Sequence, residues 1–198
     1  MTMNEEEFTQ HHISQQFNLE LRELRNQVLS MGGLVEEQLT NALIALTTND
    51  QQLAKRVYSN DYKINALEVA VDEECIRILA RRQPTASDLR LVMAVVKTIP
   101  DLERIGDQAE RIAHMALQMP SESQAKHFVA VNHLGEHVRQ MLHDALDAFA
   151  RLDVETALQV MRENHKVDHE SDSIYRQLIT YMMEDPRAIR RTLDILSL

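Results

Sequence analysis

Four glycines and four prolines are all that 198 residues contain, against about 12% for the two together in average chains. That scarcity limits the fold more than any other feature. A β-sandwich or barrel needs a turn every ~8–12 residues, and turns depend on those two residue types. The strong helix formers Leu, Ala, Met, Gln, Glu and Arg are abundant, while aromatic residues make up 4% and Trp is absent. The expected fold class is all-α.

Apolar periodicity supports this along almost the whole chain. Phe17, Leu21, Leu24, Val28, Met31, Val35, Leu39, Leu43 and Leu46 recur at steps of three and four, which predicts a first helix over 18–48. Gly32-Gly33 is expected to weaken or bend it. Asn49-Asp50 offers a cap for a second helix over 51–82, closed by Pro84. A third helix follows Thr85-Ala86-Ser87-Asp88 and contains Pro100, where a kink is expected. The linker is Gln118 to Ser123. Helices are then predicted near 125–151 and 154–184, with another starting near Pro186.

The two halves resemble each other. Asn60-Asp61-Tyr62-Lys63-Ile64-Asn65 matches Glu163-Asn164-His165-Lys166-Val167-Asp168 at an offset of 103 residues. Such a period is too long for a solenoid unit and suggests two tandem three-helix bundles. The first spans 1–120 with an N-terminal tail, and the second spans 121–198 with its last helix cut short.

Charge excludes several functions. With 31 acidic and 21 basic residues the net charge is −10, which opposes direct nucleic-acid binding. The longest apolar run, Leu91 to Val96, is far below the ~18 residues of a membrane span. An acidic N-terminus unlike a secretory signal and a single cysteine, Cys75, lead to the expectation of a cytosolic protein.

Candidate chemistry is concentrated on the second and third helices. Glu103, Asp107, Glu110 and His114 fall within about 60° of one another on a helical wheel, and Asp61, Asn65, Glu68 and Asp72 repeat the spacing one helix earlier. Two neighbouring helices would each present oxygen ligands, a donor set suited to Mg²⁺, Ca²⁺, Mn²⁺ or iron more than to Zn²⁺. Acidic pairs on so acidic a chain also serve as solvated surface, and Arg104 and Arg111 offer neutralising charge without a metal. Gly106 between the carboxylates suggests a close neighbour, since a helical Gly costs ~1 kcal/mol relative to Ala. The helix start at Thr85 to Asp88 reads as a cap rather than an anion site. His133, His137 and His143 read as surface or boundary positions, and most of the methionines as core filler. No Glu-x-x-His pair, phosphate loop or nucleophile elbow occurs.

The third-helix run Arg81-Arg82-Gln83-Pro84-Thr85-Ala86-Ser87-Asp88-Leu89-Arg90, then Lys97, then Asp101-Leu102-Glu103-Arg104-Ile105-Gly106-Asp107, closely resembles the PhoU family of bacterial proteins. Gln27-Val28, Met31-Gly32-Gly33-Leu34-Val35-Glu36 and Tyr181-Met182-Met183-Glu184-Asp185 add to the likeness, which covers 12–198. The resemblance implies two tandem three-helix bundles. It also implies a cytosolic negative regulator of phosphate uptake and of the phosphate-starvation (Pho regulon) response. Such a protein links the ATPase of the phosphate ABC transporter to a membrane sensor histidine kinase, and meets the membrane only through these partners. No enzymatic activity is implied, and homodimers are expected.

Several family members bind a divalent or trivalent metal (Mg, Mn, Fe, Ca or Zn) through paired (Glu/Asp)-x-x-x-Asp motifs. By position these are Asp61 with Asn65 and Glu103 with Asp107 in the first repeat, and Asn164 with Asp168 in the second. The partner motif of the last pair is expected beyond Leu198, because family members run some tens of residues longer. Asn65 and Asn164 stand where acids are usual. Two competing readings are a metal-dependent phosphate-ester hydrolase on a helical scaffold, with His114 the only histidine on the stripe, and a ligand-free structural dimer.

Overall fold

The computed structural model describes residues 5–118, 128–184, 189 and 192–193. Among them there are only helices: α1 (Glu5–Thr48), α2 (Gln51–Asn60), α3 (Tyr62–Arg82), α4 (Ala86–Gln118), α5 (Phe128–Arg151) and α6 (Val154–Glu184). The expected linker lies almost wholly outside the described residues, as does most of the helix expected near Pro186.

The first bundle closes around α1. Leu24, Val28, Met31 and Val35 repeat every three or four residues and are fully buried. They meet Ile64, Val71, Cys75 and Ile78 of α3 and Val92, Val95, Ile99 and Leu102 of α4 in one core. Toward the other end, α1, α2 and α4 approach through small side chains, with Ala42, Ala45, Ala54, Ala109, Ala113 and Ala116 all buried. The Arg82 guanidinium donates two hydrogen bonds, at 2.9 and 2.6 Å, to Glu20 of α1. Cys75 is sealed in the core, and burial first, then Asp72 and Glu74, pushes its thiol up to about 11, which leaves it an inert core residue.

Two sequence expectations need correction. The helix predicted over 51–82 is two helices meeting at Asp61. Asp61 keeps right-handed helical angles, and its carbonyl accepts from the Ile64 amide at 2.9 Å, a tighter three-residue step. No Gly or Pro marks this irregularity. α4 continues through Pro100, whose side chain is on the exposed side. Met31 is core, but Met93, Met161 and Met183 are exposed.

The duplication is visible in the coordinates. Asn49 and Leu152, 103 residues apart, both adopt left-handed angles, with φ of 56° and 55°. The next residues, Asp50 and Asp153, cap α2 and α6 by accepting amide hydrogens two and three positions on.

α5 packs against α1 through reciprocal contacts, as a local two-fold axis would require. A Cβ on Gly32 would lie 2.3 Å from Leu146 Cδ2, and one on Gly135 would lie 2.5 Å from Leu43 Cδ2. Gly135 is Gly32 shifted by 103 residues, and Leu146 is Leu43 shifted by the same amount, so the two contacts are one contact made twice. Gly32, expected as a weak point in α1, is where the second repeat docks. Beside the axis, Arg139 reaches Glu36 at 3.2 Å, and His143 Nδ1 lies 3.2 Å from the other Glu36 oxygen.

Candidate metal centre

The α2–α3 junction places the Asp61 carboxylate against α4. As the residue preceding α3, Asp61 makes no side-chain capping bond, so its carboxylate is free to face sideways. It is only 8% exposed. Asn65 Nδ2 donates to Asp61 Oδ2 at 3.2 Å, while Oδ1 is buried with no hydrogen-bond partner. A buried acceptor without a partner is rare and calls for a ligand, water or ion.

Oxygen atoms of Asp61, Asp107 and Glu110 lie within 4.8 Å of one another. Gly106 allows the approach, since a Cβ there would sit 2.8 Å from Ile64 Cδ1 and 3.7 Å from Asp61 Oδ1. The sequence-based suspicion that this glycine marks a close neighbour is answered by Ile64.

The electrostatics are those of uncompensated negative charge. Burial, then Asp107, raises the Asp61 carboxyl above its ordinary value, with Asn65 opposing. Glu110 is raised by burial, then by Asp61 and Asp107, with His114 opposing. Glu103 is raised by burial, then by Asp107, Glu68 and Asp61, with Arg104 pulling the other way. None of the ion pairs among the described residues involves Asp61, Asp107 or Glu110, and Arg104 pairs with Asp101 instead. Carboxylates so placed either retain protons or gather a cation. The residues fit an oxygen-ligated metal: an orphaned buried oxygen and three converging carboxylates, none of them in an ion pair among the described residues.

The predicted residues do not all assemble. Asp61 and Asp107 meet. Asn65 supports Asp61 through its amide. Glu103 sits at the edge, within electrostatic reach but outside the close group. Glu110, noted on the stripe but not assigned as a ligand, takes the third place because it lies three residues beyond Asp107 on the same face of α4. Asn164 and Asp168 remain exposed on α6, with Asn164 Nδ2 donating to Asp168 Oδ2 at 3.2 Å, and no third acid joins them among the described residues. His114 stacks on Tyr58 with ring centroids 5.6 Å apart and lies 3.4 Å from the Gln118 amide.

Sequence reading also missed the histidine contacts of α5. His137 Nδ1 lies 3.2 Å from Glu170 of α6, and its Nε2 lies 3.8 Å from Glu163. Pairings across helices leave no local signal in the chain.

Comparison with known proteins places this arrangement. The PhoU domain matches residues 28–116 and 131–198. The chain is 56% identical over 185 residues to the phosphate-specific transport system accessory protein PhoU of Serratia marcescens, covering 93% of this chain and 76% of that protein. Its fold superposes on the crystal structure of PhoU from Pseudomonas aeruginosa with a TM-score of 0.87 at 50% identity, covering 91% of this chain and 87% of the other. For the phosphate transport system regulatory protein PhoU from Streptococcus pneumoniae the values are 0.83, 31%, 91% and 84%. These relatives are named as accessory and regulatory proteins, not as enzymes, and nothing in them supports the hydrolase reading. With both halves matched and the acidic cluster inside the first of them, the chain belongs to the PhoU family.

Proposed function

We propose that this protein is a negative regulator of phosphate uptake and of the phosphate-starvation response. It works as a cytoplasmic, homodimeric adaptor between the ATPase of a phosphate ABC transporter and a membrane sensor histidine kinase. The observation that carries the reading is the identity, over most of the chain, to proteins named as accessory to the phosphate-specific transport system. No described helix is long and apolar enough to cross a membrane, so this adaptor reaches the membrane through its partners.

The acidic cluster gives the adaptor a charge switch. Asp61, Asp107 and Glu110 hold a hard cation, Glu103 shapes the field around it, and Asn65 orients Asp61. A bound di- or trivalent ion, when present, supplies positive charge at the junction of α2, α3 and α4. What the chain's own residues do is fix the spacing of those helices and set the sign of the surface they share.

The test is an Asp61→Ala/Asp107→Ala double variant in a strain lacking the native gene. The expected result is retained helicity, loss of bound metal by elemental analysis, and derepressed phosphate-starvation genes. Weaker co-purification with the transporter ATPase or the kinase would accompany it. Full repression by a metal-free variant would remove the cluster from the mechanism.

A further inference from the structure

A second site lies on the opposite side of α2. Between α1 and the α2–α3 segment is a cavity of about 350 Å³ whose polar lining is Glu37, Gln38 and Asn41 from α1 and Arg56, Asn60 and Lys63 from α2 and α3, with apolar residues from α1 and α2 between them. Gln38 is 4% exposed, and neither its Nε2 nor its Oε1 has a hydrogen-bond partner. A core amide with both ends unsatisfied calls for an explanation. Arg56 and Lys63 at the rim make no ion pair or hydrogen bond among the described residues, although the chain carries a net charge of −10.

The duplication supplies an internal control. At the corresponding positions on α5 and α6, 103 residues on, two polar pairs are engaged, and Gln159 stands where the first repeat has Arg56. Lys166, the twin of Lys63, pairs with Glu163 at 2.7 Å. Glu163 stands where the first repeat has Asn60, so the exchange of acid for amide releases the lysine. Gln140, the twin of Glu37, donates to Asp144, the twin of Asn41, at 2.9 Å. Met141 occupies the position of Gln38, where no amide needs a partner. The first repeat therefore keeps two cations without partners among the described residues at a cleft whose twin positions pair with one another or carry no charge.

We propose that the cleft between α1 and α2 binds a small hydroxylated oxyanion. Arg56 and Lys63 take the anionic end, the guanidinium by paired hydrogen bonds and the ammonium as a point charge. Asn41, Asn60 and Gln38 offer donors and acceptors to hydroxyl groups, and Glu37 on the far lip accepts from a hydroxyl while repelling a second anionic end. The volume is at the lower end of small-molecule pockets: it suits a sugar phosphate or sugar acid and leaves room unfilled by inorganic phosphate. The proposal does not depend on the adaptor reading or on the acidic cluster.

Calorimetric titration of the full chain in chelator-treated, low-salt buffer tests it, with ribose 5-phosphate, gluconate and inorganic phosphate as separate probes. The expected result is saturable binding of ribose 5-phosphate or gluconate. Affinity should fall at least tenfold in Arg56→Ala/Lys63→Ala and be unchanged in Lys166→Ala. Which of the two binds more tightly identifies the phosphate or the carboxylate as the anionic group. Gln38→Leu, close in volume, should weaken the organic probes. Absence of binding by all three probes, equal affinity for inorganic phosphate and the organic anions, or indifference to the Arg56/Lys63 change would each overturn the proposal. Because the substituted cations are exposed, loss of fold would not imitate the effect, and circular dichroism checks this. Failure here leaves the regulatory assays of the acidic-cluster variants untouched.

Discussion

The two repeats contain the same acid–amide pair in opposite order. Asp61 with Asn65 and Asn164 with Asp168 each form an amide-to-carboxylate hydrogen bond of 3.2 Å one helical turn apart. In the first repeat α4 covers the pair, brings Asp107 and Glu110 to it and leaves one oxygen unpartnered. In the second, no further acid joins the pair among the described residues, and most of the helix that would answer to α4 lies outside them. A short motif therefore does not make a site. A third helix has to desolvate the carboxylate and add further charge, because burial is the first cause of the raised values at Asp61, Glu103 and Glu110.

The largest expected effects test that difference in closure. Ile64 is fully buried under Gly106, whereas its twin Val167 is only half-buried. Ile64→Ala should cost about 2–5 kcal/mol, and Val167→Ala less than about 1.5, both measured by urea unfolding. Equal losses would mean that residues outside the described ones bury Val167 as fully as α4 buries Ile64. Next comes the cation. Mn²⁺ at a hundred times its dissociation constant should stabilise the protein by about 2.7 kcal/mol, a rise of roughly 5–10 °C in Tm. Asp61→Ala should abolish that rise, and Asp168→Ala should not.

The pH dependence without metal has a definite sign. Asp61, Glu103 and Glu110 hold protons more tightly in the folded state than in the unfolded one. Their contribution to stability is therefore complete below the ordinary carboxylate range and is lost as pH rises through the raised folded values. Glu20, Asp153 and Glu163 are lowered and act oppositely, so the difference between proteins isolates the cluster. Asp61→Asn should melt higher than the parent at pH 7 and level with it near pH 4. A variant that melts lower at pH 7 would show that the carboxylate is compensated within the protein.

Much of the fold was legible because it rests on local chemistry. The scarcity of Gly and Pro, the three-and-four periodicity, and Asp50 and Asp153 at helix starts point to helical rods and to where two of them begin. The 103-residue offset was legible from Lys63 and Lys166. Other features depend on contacts that no local pattern encodes. The break at Asp61 uses ordinary helical angles, Glu110 becomes a candidate ligand only through the way α4 rolls against the α2–α3 junction, and the Glu36–Arg139–His143 contacts exist only once α5 docks on α1. Gly32 was misread because a glycine inside a helix looks the same from sequence whether it loosens the rod or admits a neighbour.

That ambiguity sets the next test. Gly32→Ala forces Leu146 to move and should cost about 1–3 kcal/mol, and Gly135→Ala should match it if the axis between α1 and α5 is a true local two-fold. Gly33→Ala, with nothing within 4 Å of its added methyl, should instead stabilise by about 0.5–1 kcal/mol. Equal effects at Gly32 and Gly33 would mean that the residues differ in propensity alone and not in packing.

The smallest effect concerns the turns that precede the two capping aspartates. Asn49 and Leu152 hold the same left-handed angles, but only Asn is suited to them, because its short polar side chain tolerates a conformation that a bulky one resists. Leu152 is 61% exposed, so replacing it removes little packing. Leu152→Asn should therefore stabilise the protein by a few tenths to about 1 kcal/mol, and Asn49→Leu should destabilise it by a similar amount. The two melting curves should move in opposite directions from the parent. If Leu152→Asn instead lowers the melting temperature, the leucine contributes a contact that the second repeat depends on, and the two turns would share their backbone angles without sharing the forces that hold them.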